Sequence, residues 1–219
     1  MQADLVHPDC PKQHDLSRAY WDRHAPRYDR SMKILGGPMP RTLQLAAEAV
    51  RGAERVLELA AGTGLVTLAL AREARWVVAT DYSRAMVSLL EKRVRAAGLS
   101  NVECRQADIY ALDLEPGSFD VVVAANVLHL LPDLEGALLA MRRMLRPGGR
   151  LVLPTFCHEE TRLARLASRI LAITGFPGQR RFCARSLQDA LQRVGIEVLR
   201  AETIPGLLPI GYVEGRFAR

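Results

Sequence analysis

The 219-residue chain is poor in aromatic residues, which make up 5% of it, and none form a stacking platform interleaved with its arginines. Proteins that hold single-stranded nucleic acid stack bases on such platforms, so an RNA- or DNA-binding role is disfavoured. The chain also lacks a Cys-x-x-Cys pair: Cys10, Cys104, Cys157 and Cys183 are widely scattered. That spacing fits neither a zinc knuckle nor a disulfide framework, and reduced thiols are expected. There is no run of about eighteen apolar residues, and no charged start leads into an apolar signal core. Neither a membrane span nor a secretory leader is therefore expected, and the chain reads as cytoplasmic. Internal repeats and low-complexity segments are missing as well.

What is present agrees with one domain over residues 1–219. The 49% hydrophobic content suffices for a core at this length. The net charge of +6 is carried largely by arginine, with Arg162, Arg165, Arg169, Arg180, Arg181 and Arg185 in one region, a signature of an acidic partner. Periodicity predicts two leading helices, Leu16 to Arg30 and Pro40 to Arg51. Strands follow at 55–59, 75–80, 101–106, 119–125 and 149–154, with helices at about 65–73, 84–97 and 134–145 between them. Such alternation means a parallel sheet. A helical insertion at about 159–174, a Gly175-Phe176-Pro177-Gly178 break, a helix at 186–194, and runs at 196–203 and 207–214 complete the pattern.

The most specific signal is Val56-Leu57-Glu58-Leu59-Ala60-Ala61-Gly62-Thr63-Gly64-Leu65, an apolar strand that carries a carboxylate into a glycine turn and then a helix. Gly62 and Gly64 allow positive φ and a close backbone approach to a ligand, and the helix start offers free N–H groups. A dinucleotide fingerprint needs a third small residue where Thr67 stands, so pyrophosphate binding is disfavoured. Glu58 would repel a pyrophosphate and attract the sulfonium and ammonium of S-adenosylmethionine (SAM).

With the residues that follow, the chain resembles the class I SAM-dependent methyltransferases over most of its length. Asp81 closes the next apolar run, Trp76 to Thr80; Ala107-Asp108-Ile109 follows the third; Phe119 to Asn126 and Leu145 to Leu151 match the later motifs in the family's order. The resemblance implies an α/β doubly wound, mostly parallel seven-stranded sheet with helices on both faces and an N-terminal helical cap. Its one antiparallel strand, Leu207 to Glu214, would lie between strands five and six. It also implies roles. Asp81 grips the ribose, Asp108 accepts from the adenine amine, Tyr82 and Ile109 flank the ring, and Met86 also meets the cofactor. Glu58, Ala60, Gly62, Gly64 and Asn126 surround the remainder, and Tyr20 and Tyr28 belong to a cap (residues 1–51) that closes over the cofactor, which leaves as S-adenosylhomocysteine. Ala60 replaces the first glycine of the family's pattern and is expected to keep negative φ, where its methyl group is harmless.

Ligands of open parallel sheets bind beyond the carboxyl ends of the strands. His129, after strand four, is the best placed base if the acceptor is a hydroxyl, a carbon acid or a protonated amine, because histidine titrates near neutral pH; a structural or cofactor-shell role is the alternative. His129, Cys157 and His158 are too few for a metal site and none is expected; His158 and Cys157 read as exposed loop residues. Tyr28 is expected to line the cap and Trp21 to face the core. The insertion (155–185) carries Leu163, Leu166, Ala167, Ile170, Leu171 and Thr174 on one stripe beside arginines. It is either a plain lid or an interfacial helix drawn to anionic membranes. No Asn-Pro-Pro-Tyr or Asp-Pro-Pro-Tyr follows strand four, so methylation of bases or glutamine in that style is not expected. The acceptor is a small molecule or a lipid, with quinones, phospholipids and thiols all open, as is the oligomeric state. A nicotinamide-dependent oxidoreductase is disfavoured by Thr67 and by the lack of a Tyr-x-x-x-Lys relay. A non-catalytic SAM-binding subunit is the other alternative.

Overall fold

Apolar runs too regular to face water on either side are buried here on both faces of one sheet. The computed structural model describes residues 10–35, 37–173 and 176–218, with residues 10–17 and 31–35 by backbone only. The strands are β1 (Arg55–Leu59), β2 (Trp76–Asp81), β3 (Val102–Gln106), β4 (Phe119–Ala124), β5 (Leu145–Val152), β6 (Thr155–Phe156), β7 (Ile196–Ile204) and β8 (Ile210–Phe217). The helices are α1 (Cys10–Leu35), α2 (Met39–Val50), α3 (Thr67–Leu70), α4 (Arg84–Ala96), α5 (Leu134–Met144), α6 (Arg162–Ile173) and α7 (Ala184–Arg193).

The sheet runs β3-β2-β1-β4-β5-β8-β6, with β7 paired to the other side of β8. The pairs from β3 to β5 are parallel, and β8 is antiparallel to both β5 and β7, as the resemblance implied. Among the described residues there are eight strands instead of seven. The extra one, β6, continues β5 along the same side of β8 after a break at Pro154, which has no N–H to give the ladder. The pleat sends alternate residues to opposite faces. Leu57, Leu59, Phe119, Val122 and Leu151 pack with Leu138 and Met141 of α5 and Leu187 and Leu191 of α7. Val56, Val77, Val121 and Val123 pack with Leu45 and Val50 of α2, Leu70 of α3, Leu90 of α4 and Tyr212 of β8.

Several elements depart from expectation: β5 begins at Leu145 instead of 149, and β8 lies three residues later than 207–214. The helix expected at about 65–73 is only Thr67–Leu70, because the turn consumes the residues before it. α1 is longer than Leu16 to Arg30 and carries Pro26 within it. Thr174, expected at the end of the insertion helix, Gly175, the first residue of the expected break, and the side chain of Cys10 lie outside the described residues. At the end of the sheet away from the glycine turn, Asp120 accepts from the N–H groups of Glu54 and Arg55 at 2.6 and 2.8 Å, fastening the start of β4 to the start of β1. The strand order reverses between β1 and β4, which opens a crevice at their carboxyl ends.

Candidate active site

The crevice is a cleft of about 960 Å³ when the solvent space at its open mouth is counted. It is walled by Trp21, Tyr28, Ala60, Gly62, Asp81, Tyr82, Met86, Ala107, Asp108, Ile109, Tyr110, Ala125, Asn126, Val127, Leu130, Leu131, Pro132 and Gln179. Nine of the twelve residues expected to meet the cofactor are therefore brought together. Glu58 lies in a smaller adjoining recess with Tyr28, Ala60 and Asn126. Gly64 and Tyr20 stand apart from both cavities.

The turn shapes one wall. Gly62 (φ 57) donates its N–H to Asp81 Oδ2 at 2.8 Å, while Ser83 N–H reaches Oδ1 at 2.9 Å, so the carboxylate is aimed by backbone from two strands' ends. Burial raises its pKa to about 6 against these hydrogen bonds. Gly64 (φ 89) serves close packing: a Cβ there would meet Leu90 of α4 at 2.6 Å. Ala60 corrects the expectation of negative φ, for it stands at φ 52. The chain must leave β1 sharply enough for Ala61 N–H to reach Thr80 O at 2.9 Å and Gly62 N–H to reach Asp81, and only a left-handed residue does that. Opposite it, Asn126 at the end of β4 is also left-handed, φ 54, a conformation asparagine tolerates better.

Glu58 is 1% exposed and its Oε2 has no hydrogen-bond partner. Burial pushes its carboxyl up to about 8, against the lowering pull of Thr67. A buried carboxyl oxygen with no partner beside a cavity is a place where a cation or a hydrogen-bond donor would be favoured. At the far end Asp108 Oδ1 accepts from Tyr110 N–H at 2.9 Å, with Ile109, Met86 and Tyr82 forming apolar walls.

α1 closes the cavity from above, and its carboxylates explain how it is seated. Asp22 accepts from Ser83 Oγ at 2.5 Å and Ala85 N–H at 3.3 Å at the start of α4, where the helix dipole favours negative charge. Asp29 accepts from Thr63 Oγ1 at 2.6 Å and pairs with Arg93. Tyr28 thereby comes to line both cavities, and burial lifts its hydroxyl to about 12. Trp21, expected in the core, lines the cavity too, because α1 lies over the mouth rather than flat on the sheet. Tyr20 stacks on His24 at 4.0 Å and meets the edge of Phe176, outside the cavity.

Beyond β4 and β5, two further expectations are corrected. His129 is 1% exposed, its ring parallel to Phe176 with centroids 6.0 Å apart, and burial lowers its pKa to about 3. It does not titrate near neutral pH, and its ring is not part of the cavity wall. His158 and Cys157 are buried, not exposed on a loop. His158 is held to about 4 and has neither ring nitrogen partnered; its ring centre is 5.1 Å from that of His129. Among the described residues no three His, Cys, Asp or Glu side chains converge on a metal position. Residues that sequence reasoning did not single out include Tyr110, Leu131 and Pro132 in the cavity wall and others from the segment joining α6 to α7. Gln179 lines the cavity, and the N–H groups of Gln179 and Arg180 both donate to His129 O, at 2.9 and 3.0 Å. The Arg180 guanidinium donates to the carbonyls of Leu131 and Pro132. The Gly175-Phe176-Pro177-Gly178 break marked a loop there, but nothing in its residues showed what the loop covers.

A family model described as a methyltransferase domain matches residues 57–153, from β1 to just past β5. The chain is 32% identical over 215 residues to a demethylmenaquinone methyltransferase of Beutenbergia cavernae, covering 91% of this chain and 85% of that one. It is 32% identical over 164 residues to the demethylmenaquinone methyltransferase of Clavibacter sepedonicus, covering 74% and 66%. It spans a little under two thirds of the length of that relative and of others like it, at 66%, 64% and 62%. The solved complex of DhpI with S-adenosylhomocysteine superposes with a TM-score of 0.72 at 26% identity, over 94% of this chain and 98% of that one. The crevice at the strand-order reversal, the carboxylates at the ends of β1 and β2 and these likenesses agree: the chain belongs to the class I SAM-dependent methyltransferases.

Proposed function

We propose that the chain moves a methyl group from SAM to a small, largely apolar acceptor of the quinol kind. The observation that carries this is the crevice itself, which sets Asp81 and Asp108 among mostly apolar walls, with the buried Glu58 in the recess beside it. SAM, when bound, supplies a methyl carbon already activated by its sulfonium. Asp81 would accept from the ribose hydroxyls, and Asp108 from the adenine amine, with Tyr82, Met86 and Ile109 against the ring. Glu58, with Ala60, Gly62 and Asn126, would hold the cationic end, and Tyr28 would cover it. Gly64 acts by letting the turn approach α4, and Tyr20 by building the aromatic cover.

In-line displacement asks the protein to align the acceptor and exclude water. The α1 cap and the segment carrying Phe176 and Gln179 do both. His129 is neutral in this state and its ring lies off the cavity wall against Phe176; we assign it a structural place there, and a proton-accepting one only when Phe176 lifts from its ring. The names of the relatives support a quinone-type acceptor. Such a molecule partitions into bilayers, which makes peripheral contact with an anionic membrane part of the same reading.

Calorimetric titration with SAM, S-adenosylhomocysteine and NADH, run beside methyl-transfer assays on quinols, phospholipids and thiols, tests the proposal. Both adenosyl ligands should bind and NADH should not, with turnover on the quinols. NADH binding would return the oxidoreductase alternative, and tight SAM binding with no turnover would favour a non-catalytic subunit. Asp81→Ala should weaken SAM binding by about 1–3 kcal/mol; unchanged affinity in the folded variant would remove Asp81 from the ribose.

A further inference from the structure

The residues of α6, the insertion helix, sort into three stripes at 3.6 residues per turn. Ala164 and Ser168 are buried, with Ala167 and Leu171 half-buried beside them. Next to them runs an uncovered apolar stripe: Leu163, Leu166, Ile170 and Ile173 are 58%, 55%, 59% and 86% exposed. Arg162, Arg165 and Arg169 border its far side, all exposed, and they pair with no carboxylate among the described residues. α6 carries no acidic residue.

We infer that this face of α6 docks the protein on an anionic lipid surface. Four large aliphatic side chains on a helix about 18 Å long have an apolar medium as their complement. The arginine row beside them would reach lipid phosphates while its stems lie along the acyl boundary. One face of one twelve-residue helix is small against the roughly 800 Å² per partner that a stable dimer buries. The surface is also continuous with the site. The segment that leaves α6 carries Phe176, which covers His129, and Gln179, which lines the cavity. Docking through α6 would set the cavity's cover at the membrane, where an apolar acceptor is concentrated. This benefit rests on the proposed apolar acceptor; the docking does not.

The test is flotation of the full chain with vesicles of phosphatidylcholine alone and of phosphatidylcholine mixed with phosphatidylglycerol. Binding should be at least about tenfold tighter to the anionic vesicles. Paired substitutions Leu166→Glu with Ile170→Glu, and Arg165→Glu with Arg169→Glu, should each weaken it at least about tenfold, while SAM affinity and melting temperature stay unchanged. No vesicle binding, or binding that neither pair weakens, would overturn the inference. So would a dimer in solution, seen by light scattering, that the leucine and isoleucine changes dissolve. Vesicle binding through α6 in a protein that binds no SAM would leave the docking standing and sink the methyltransferase reading instead.

Discussion

A methyl group on a left-handed backbone is the point of strain in the site. Ala60 holds φ 52, a conformation that costs an L-residue about 1–2 kcal/mol and costs glycine almost nothing. Ala60→Gly should therefore raise unfolding stability by about 1 kcal/mol in denaturant titrations, offset in part by the freer unfolded chain. A variant that is less stable would mean that the methyl group's contacts outweigh the strain. Glu58 lends itself to a different measurement. With its carboxyl at about 8, it is protonated in the empty protein at pH 7, and a cation placed beside it lowers that pKa and expels the proton. SAM titrated at pH 7 in buffers of different ionisation enthalpy should show heats that vary with the buffer, and Glu58→Gln should lose that variation. Buffer-independent heats in the native protein would place the cation elsewhere.

Among elements, the segment between α6 and α7 is held by few bonds for what it covers. Arg180 fastens it to the carbonyls of Leu131 and Pro132, beside the backbone bonds to His129 O. Arg180→Ala should leave the melting temperature nearly unchanged and speed SAM dissociation several-fold in stopped-flow measurements, since the core lies elsewhere. An unchanged rate would show that α1 alone retains the ligand. The sequence made the central strands β1, β2 and β4 legible because their residues are mostly apolar, with Glu58 and Asp81 at or near the ends of β1 and β2. Cavity residues on strand ends were legible for the same reason. Trp21 and Gln179 were not: whether an aromatic residue on a cap helix or an amide on a loop faces a cavity depends on how that segment lies across the sheet. The φ of Ala60 was likewise hidden, being imposed by hydrogen bonds to the neighbouring strand and not by alanine's own preference. The length of α3 depended on how many residues the turn consumed.

The molecule as a whole carries buried groups that pull its stability in opposite directions with pH. An unfolded histidine takes its proton near 6.5, whereas folded His158 refuses it until about 4 and His129 until about 3, so their stability, complete above 6.5, is lost as pH falls through that window. Glu58 does the reverse: folded, it keeps its proton to about 8 while the unfolded chain releases it near 4.5, so its stability, complete below 4.5, is lost as pH rises. Melting temperatures should show His158→Gln gaining on the native protein as pH falls from 6.5 to 4, and Glu58→Gln gaining as pH rises from 4.5 to 8. Parallel curves for either variant would deny its group that part. The sheet's two margins have a consequence of another kind. β3 presents Glu103 and Arg105, and β7 presents Glu197, Arg200 and Glu202, several of them already paired within the chain. A stranger's strand seeking to extend the sheet at either border would have to lie along charge, so the fold resists the ladder-by-ladder growth that turns open β-proteins into fibres.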